Sequence, residues 1–73
     1  MIKRLHVHIP DVESFWTPVL DEEQATKLTE LLDDLSNVNH LCIPVADNTG
    51  GTDCSKIMTR AMIDRAIFTV YFK

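Results

Sequence analysis

Within Ile2 to Ile9, hydrophobic and polar positions alternate over the second half, with Leu5, Val7 and Ile9 pointing one way and Arg4, His6 and His8 the other. A period of two with one apolar face predicts a half-exposed strand. Pro10 ends it, because proline has no amide hydrogen to give a ladder. Asp11 to Pro18 then reads as an irregular connection carrying Phe15 and Trp16.

The period changes to helical at Asp21. Leu28, Leu31, Leu32 and Leu35 recur at i, i+3, i+4 and i+7, extended backwards by Ala25 and Leu20, which predicts a helix from about Asp21 to Ser36. Asp21 with Gln24 three residues on has the pattern of a capping box, and Asn37 to Asn39 suit a C-terminal stop. The outer face is acidic: Glu22, Glu23, Glu30, Asp33 and Asp34 are answered within the helix only by Lys27. Asp33 and Asp34 sit where the helix dipole disfavours negative charge, a local cost with no evident structural return.

Leu41 to Val45 predicts a short strand, with Leu41, Ile43 and Val45 inward and His40, Cys42 and Pro44 outward; Pro44 marks it as an edge. Ala46 to Thr52 is a turn-rich loop. Ile57, Met58, Ala61, Met62 and Arg65 form a stripe that predicts a second helix from Asp53 to about Asp64, although a β-hairpin turning near Asp64-Arg65 fits the same residues. Ala66 to Phe72, with no Gly, Pro or charge, has the composition of a strand buried at the middle of a sheet: Phe68, Val70 and Phe72 on one face, Ile67, Thr69 and Tyr71 on the other.

The expected architecture is a single α/β (α+β) domain over residues 1–73. It is a small two-layer open-faced sandwich, β-α-β-α-β, with both helices on one face of a three-stranded sheet. The opposite face, with Arg4, His6, His8, His40, Cys42, Thr69 and Tyr71, is too polar to be a second core.

Composition narrows the function more than it names one. At 73 residues the chain is near the size where one core suffices, so oligomerisation, most simply a homodimer, is an expected source of added stability. The net charge of −4 and pI near 5.1 argue against direct nucleic-acid binding, whose affinity comes largely from Lys and Arg on phosphates. No apolar run approaches a membrane span and no secretory leader pattern opens the chain, which reads as a cytoplasmic protein beginning at Met1. Cys42 and Cys54 match no disulfide framework, zinc motif or redox motif, and read as reduced, buried or half-buried thiols.

Candidate chemistry is sparse, and no motif identifies a family. His6 and His8, at i and i+2 on one strand face, are spaced to share a metal, with His40 and Cys42 as further candidate ligands across the sheet; no metal or other cofactor is expected. Asp47 to Lys56 has the outline of a phosphate loop entering a helix, but its spacing fits neither nucleotide fingerprint and its own acids repel anions. Nothing brings a catalytic pair together, so no enzymatic activity is expected.

Protein binding accounts for more of the unusual features. Phe15 and Trp16 in a loop, and Tyr71 on the outer sheet face, are candidate aromatic anchors. Glu23, Glu30, Asp33 and Asp34 form a candidate surface for a basic partner. The expected function is that of a small acidic inhibitor or regulatory subunit that occupies a partner's surface. A phage-type product that blocks a host nucleic-acid-binding machine, its acidic side chains standing in for phosphates, is one form of it. The alternatives are a metal- or ligand-sensing domain built on His6 and His8, and a structural homodimer whose open sheet face is its interface.

Overall fold

The computed structural model describes residues 2–72, a mixed α+β chain with five strands and two helices; Met1 and Lys73 lie outside the described residues. The first strand, β1 (Ile2–Ile9), follows the alternation: Leu5, Val7 and Ile9 are buried, with Arg4 and His6 half-buried and His8 exposed. Asp11 takes a left-handed backbone (φ 62°), the conformation that short polar residues tolerate best, and Val12 N–H donates to the Ile9 carbonyl at 3.1 Å. The chain reverses there into β2 (Glu13–Trp16), antiparallel to β1 with Ile9 opposite Glu13 and His6 opposite Trp16. The expected irregular connection is thus largely a hairpin, and one short strand sends Phe15 inward and Trp16 outward.

Thr17 prolongs this pairing although Pro18 follows. Its N–H donates to the Leu5 carbonyl and its hydroxyl accepts the Leu5 N–H, both at 2.9 Å, with the side chain wholly buried. The helix α1 (Glu22–Asp33) begins as expected: Gln24 N–H donates to the Asp21 carboxylate at 2.8 Å and Asp21 N–H to the Gln24 amide oxygen at 3.2 Å. It ends three residues short of Ser36, passing into a 3₁₀ turn, Leu35–Asn37. Two carbonyls just beyond the helix are bound from elsewhere in the chain. The Arg60 guanidinium donates to the carbonyls of Leu35 at 2.7 Å and Val38 at 2.6 Å, and Asn37 donates to the Asp34 carboxylate at 2.7 Å.

The strand β3 (His40–Ala46) pairs antiparallel with β4 (Thr52–Thr59), and the two form a separate two-stranded sheet. The expected second helix over 53–64 is corrected: 52–59 is strand, and only α2 (Arg60–Arg65) is helical. Asp47 and Gly51 close a tight turn, with Asp47 N–H to the Gly51 carbonyl at 2.8 Å and Gly50 at φ 89°, and this delivers Thr52–Thr59 directly alongside β3. Long-range pairing overrides the helical stripe, as tertiary context does to weak local signals. Pro44 lies on a two-stranded sheet, where every strand is an edge.

The last strand, β5 (Ile67–Phe72), is antiparallel to β1, and the larger sheet has the order β2-β1-β5. The strand expected at the centre is therefore at the edge, and β1 is central. Phe68 and Val70 pack against the core, but Phe72, expected inward, is 68% exposed. Arg4 pairs with Tyr71 but Ile2 with Phe72, so Lys3 is an extra residue that kinks the end of the ladder. Ala25 and Leu28 of α1, Leu41 and Ile43 of β3, Met58 of β4 and Ile63 of α2 join the inward residues of β1 and Phe15 in one core. Five strands in two sheets replace the expected β-α-β-α-β order with its single three-stranded sheet.

Replacing Thr17 with Val keeps the shape but leaves the buried Leu5 N–H without its acceptor. The expected loss is about 1–3 kcal/mol in urea unfolding, with Thr17→Ser retaining most of the stability. An unchanged midpoint in Thr17→Val would remove the hydroxyl from the account of the fold.

Candidate functional site

Two surfaces gather the residues singled out by the sequence. The first lies along α1. Glu22, Glu23, Glu30, Asp33 and Asp34 are all exposed, and among the described residues none of them forms a salt bridge. Two of the chain's cations are engaged elsewhere: Lys56 pairs with Glu13, tying β4 to β2, and Arg60 pairs with Asp64 at 2.6 Å while binding the Leu35 and Val38 carbonyls just beyond α1. Beside this acidic face runs an open groove of about 500 Å³. Leu28, Leu31, Val38 and Pro44 give it an apolar lining, Cys42 opens onto it, and Glu30, Asp34 and Lys27 are among its charged residues. The acidic residues were legible in the sequence; the groove was not, because it exists only once β3 lies beside α1.

The second surface is the outer face of the three-stranded sheet, centred on Trp16. Cross-strand pairing places His6 directly opposite Trp16 and Tyr71 opposite Arg4. The His6 ring lies 4.5 Å from that of Trp16, the Tyr71 ring 5.2 Å, and the Arg4 guanidinium carbon 4.5 Å above the indole. Arg4 also donates to the Thr17 carbonyl at 3.2 Å, while its Nε is buried without a hydrogen-bond partner. The result is a fixed basic and aromatic patch, because each ring is held by its neighbours. Arg4 was placed on this face by the alternation, but its role was not visible while Trp16 was assigned to a loop.

Phe15 belongs to neither surface. It is 8% exposed on the inward side of β2, under the Lys56 ammonium at 5.5 Å from the ring, and has no surface to offer a partner. The candidate metal ligands do not converge: His6 and His8 lie on β1, and His40 and Cys42 on the separate β3–β4 sheet. Among the described residues no three His, Cys, Asp or Glu side chains gather closely enough to hold a metal. Both cysteines are free and exposed, not buried or half-buried as expected.

The loop with the outline of a phosphate cradle is filled by its own carboxylate. Asp47 accepts the Thr49 hydroxyl, the Thr49 N–H and the Gly51 N–H, each at 2.8 Å, so the amides an anion would need are occupied. The Thr49 hydroxyl foremost, then the Thr49 N–H, with smaller contributions from the Gly51 and Gly50 N–H groups, hold the Asp47 carboxyl below its ordinary value against slight desolvation. Because the folded value is the lower one, the turn's contribution to stability is complete above the ordinary carboxylate range and disappears as pH falls through the folded value.

No helix among the described residues is long and apolar enough to cross a membrane. Comparison of the chain with protein-family models, with curated proteins and with solved structures finds no match.

Two measurements test this geometry. Phe15→Ala is expected to cost about 3–5 kcal/mol in chemical unfolding, as for a buried aromatic, and Trp16→Ala distinctly less; equal costs would put both rings in the core. In an NMR acid titration, the Thr49 and Gly51 amide shifts should move with a midpoint below the ordinary Asp value of 3.8, and a midpoint at or above it would discard the carboxylate-centred turn.

Proposed function

We propose that this chain is a non-catalytic protein-binding module, a small acidic inhibitor or regulatory subunit that docks on a partner through α1 and the groove beside it. The observation that carries the reading is the coincidence of two features. Carboxylates without a cationic partner among the described residues line one face of α1, and the groove next to them has an apolar lining with Glu30 and Asp34 among its residues. A basic amphipathic segment fits both, its apolar side chains entering the groove while Lys or Arg face the acids. The acids also accelerate encounter with a basic surface, an effect that salt screens.

A basic surface of that kind is what a nucleic-acid-binding machine presents, and acidic side chains there take the place of phosphates. A phage-type product that blocks such a host machine accords with this charge pattern. Action in the cytoplasm accords with two exposed free thiols, which a reducing compartment keeps unpaired.

The test is charge reversal at Glu30, Asp33 and Asp34 to Lys, after a partner has been isolated by affinity capture on the wild-type chain. Association at low salt should slow by about tenfold or more, with the difference shrinking as salt rises. A partner that binds both proteins with the same rate and the same salt dependence would reject the acidic-face mechanism.

A further inference from the structure

The outer edge of β5 is an unpaired strand edge with none of the usual protection. In an antiparallel ladder each residue turns its N–H and C=O to the same side, alternately along the strand. Leu5 exchanges its hydrogen bonds with Thr17 on the β2 side, so His6 and His8 face β5 and bond Thr69 and Ile67. Phe68 and Val70 therefore turn their N–H and C=O groups away from β1, toward the open edge. No strand pairs with β5 on that side among the described residues.

Natural edges are blunted by Lys, Pro, outward bulges or short length. Ile67–Phe72, six residues long, contains no charge and no proline. On this strand Ile67 and Tyr71, both on the outer face, and Phe72 expose 55, 44 and 68% of their surfaces. The charge distribution selects the occupant. The chain carries a net charge of −4, but this strand has no charge to repel a second copy, and its sequence places complementary residues opposite one another.

We infer that β5 pairs with β5 of a second copy, antiparallel about a two-fold axis through Thr69, giving a continuous six-stranded sheet in the order β2-β1-β5-β5-β1-β2. In that register Phe68 exchanges N–H and C=O with the partner's Val70, and Val70 with the partner's Phe68. Thr69 faces the partner's Thr69 on the outer side, and Ile67 faces the partner's Tyr71, extending the Trp16–Tyr71 patch across both subunits. Each copy uses the same edge, so the assembly closes at two. The exposed surface of Ile67, Tyr71 and Phe72 comes to on the order of 300 Å² per subunit at the areas typical of large residues, which bounds what their side chains bury in the pairing. A standard interface buries about 800 Å² per partner, so this is a reversible, concentration-dependent dimer. The inference does not rest on the docking groove of α1, which lies on other elements.

Sedimentation velocity across a hundredfold range of concentration tests it. The wild-type chain should shift from monomer to dimer. Thr69→Lys places two ammonium groups across the axis and should sediment as monomer with unchanged circular dichroism; Thr69→Glu should do the same. An equimolar mixture of the two should recover the dimer, because opposite charges then face one another. A wild-type chain that stays monomeric throughout, a Thr69→Lys dimer as strong as wild type, or an open-ended series of larger species each overturns the inference. Should either charged variant lose its fold, Thr69→Cys in a chain with Cys42 and Cys54 replaced by Ser decides the question. Facing non-hydrogen-bonded pairs lie at about 4.5 Å between Cα atoms, within disulfide reach. Mild oxidation should give a covalent dimer, and its absence counts against the register.

Discussion

Leu5, Val7 and Ile9 are at most 1% exposed, and the strand that holds them is hydrogen-bonded along both edges. Removing side chains of this kind from water is worth about 1.5–3 kcal/mol each, and in so short a chain no other element gathers as many of them in one row. The neighbouring elements each complete that burial. β2 and β5 satisfy the backbone of β1, Thr17 continues the pairing where Pro18 cannot, and Ala25, Leu28, Leu41, Ile43, Met58 and Ile63 cover the apolar row. Because side chains alternate along a strand, burying one face of β1 commits Arg4, His6 and His8 to the other. The outer patch around Trp16 is a direct consequence of how the core is made.

The charges follow from a second constraint, the satisfaction of carbonyls in and just after the 3₁₀ turn that follows α1. Asp33 and Asp34 are unfavourable company for the negative end of a helix, and beyond them Arg60 reaches across 22 and 25 residues to bind the Val38 and Leu35 carbonyls. Lys56 is likewise engaged with Glu13, a pair about a third exposed and so worth at most about 1 kcal/mol, but one that joins β4 to β2. With these cations turned to internal tasks, the carboxylates of α1 are left facing solvent. The acidic character of that face is thus a property of the whole tertiary arrangement as well as of the helix.

The proposed self-pairing through β5 and the proposed docking through α1 draw on different elements of the chain. A two-fold dimer would carry two acidic faces, and a partner presenting paired basic sites would gain from engaging both.

The residues that local physics controls were legible without coordinates. The alternation of Leu5–Ile9, the Asp21–Gln24 capping box and the exposed acids of α1 all appear as the sequence predicts, since a strand's period, a cap and a solvated face depend on neighbours a few residues apart. What depended on distant pairing was not legible. The stripe through Ile57, Met58, Ala61 and Met62 suits a helix locally, but the Asp47–Gly51 turn brings Thr52–Thr59 against β3, and a ladder with a buried Met58 outweighs a weak helical preference. Phe15 and Trp16 looked alike in a supposed loop; pairing with β1 buries one and exposes the other. The uncharged Ala66–Phe72 stretch announced a strand, and the tertiary structure alone decided that it is an edge. Hydrophobicity records how much a segment gains by leaving water, whereas strand order records which segments pair with β1 and on which side. Only the folded chain contains that second kind of information.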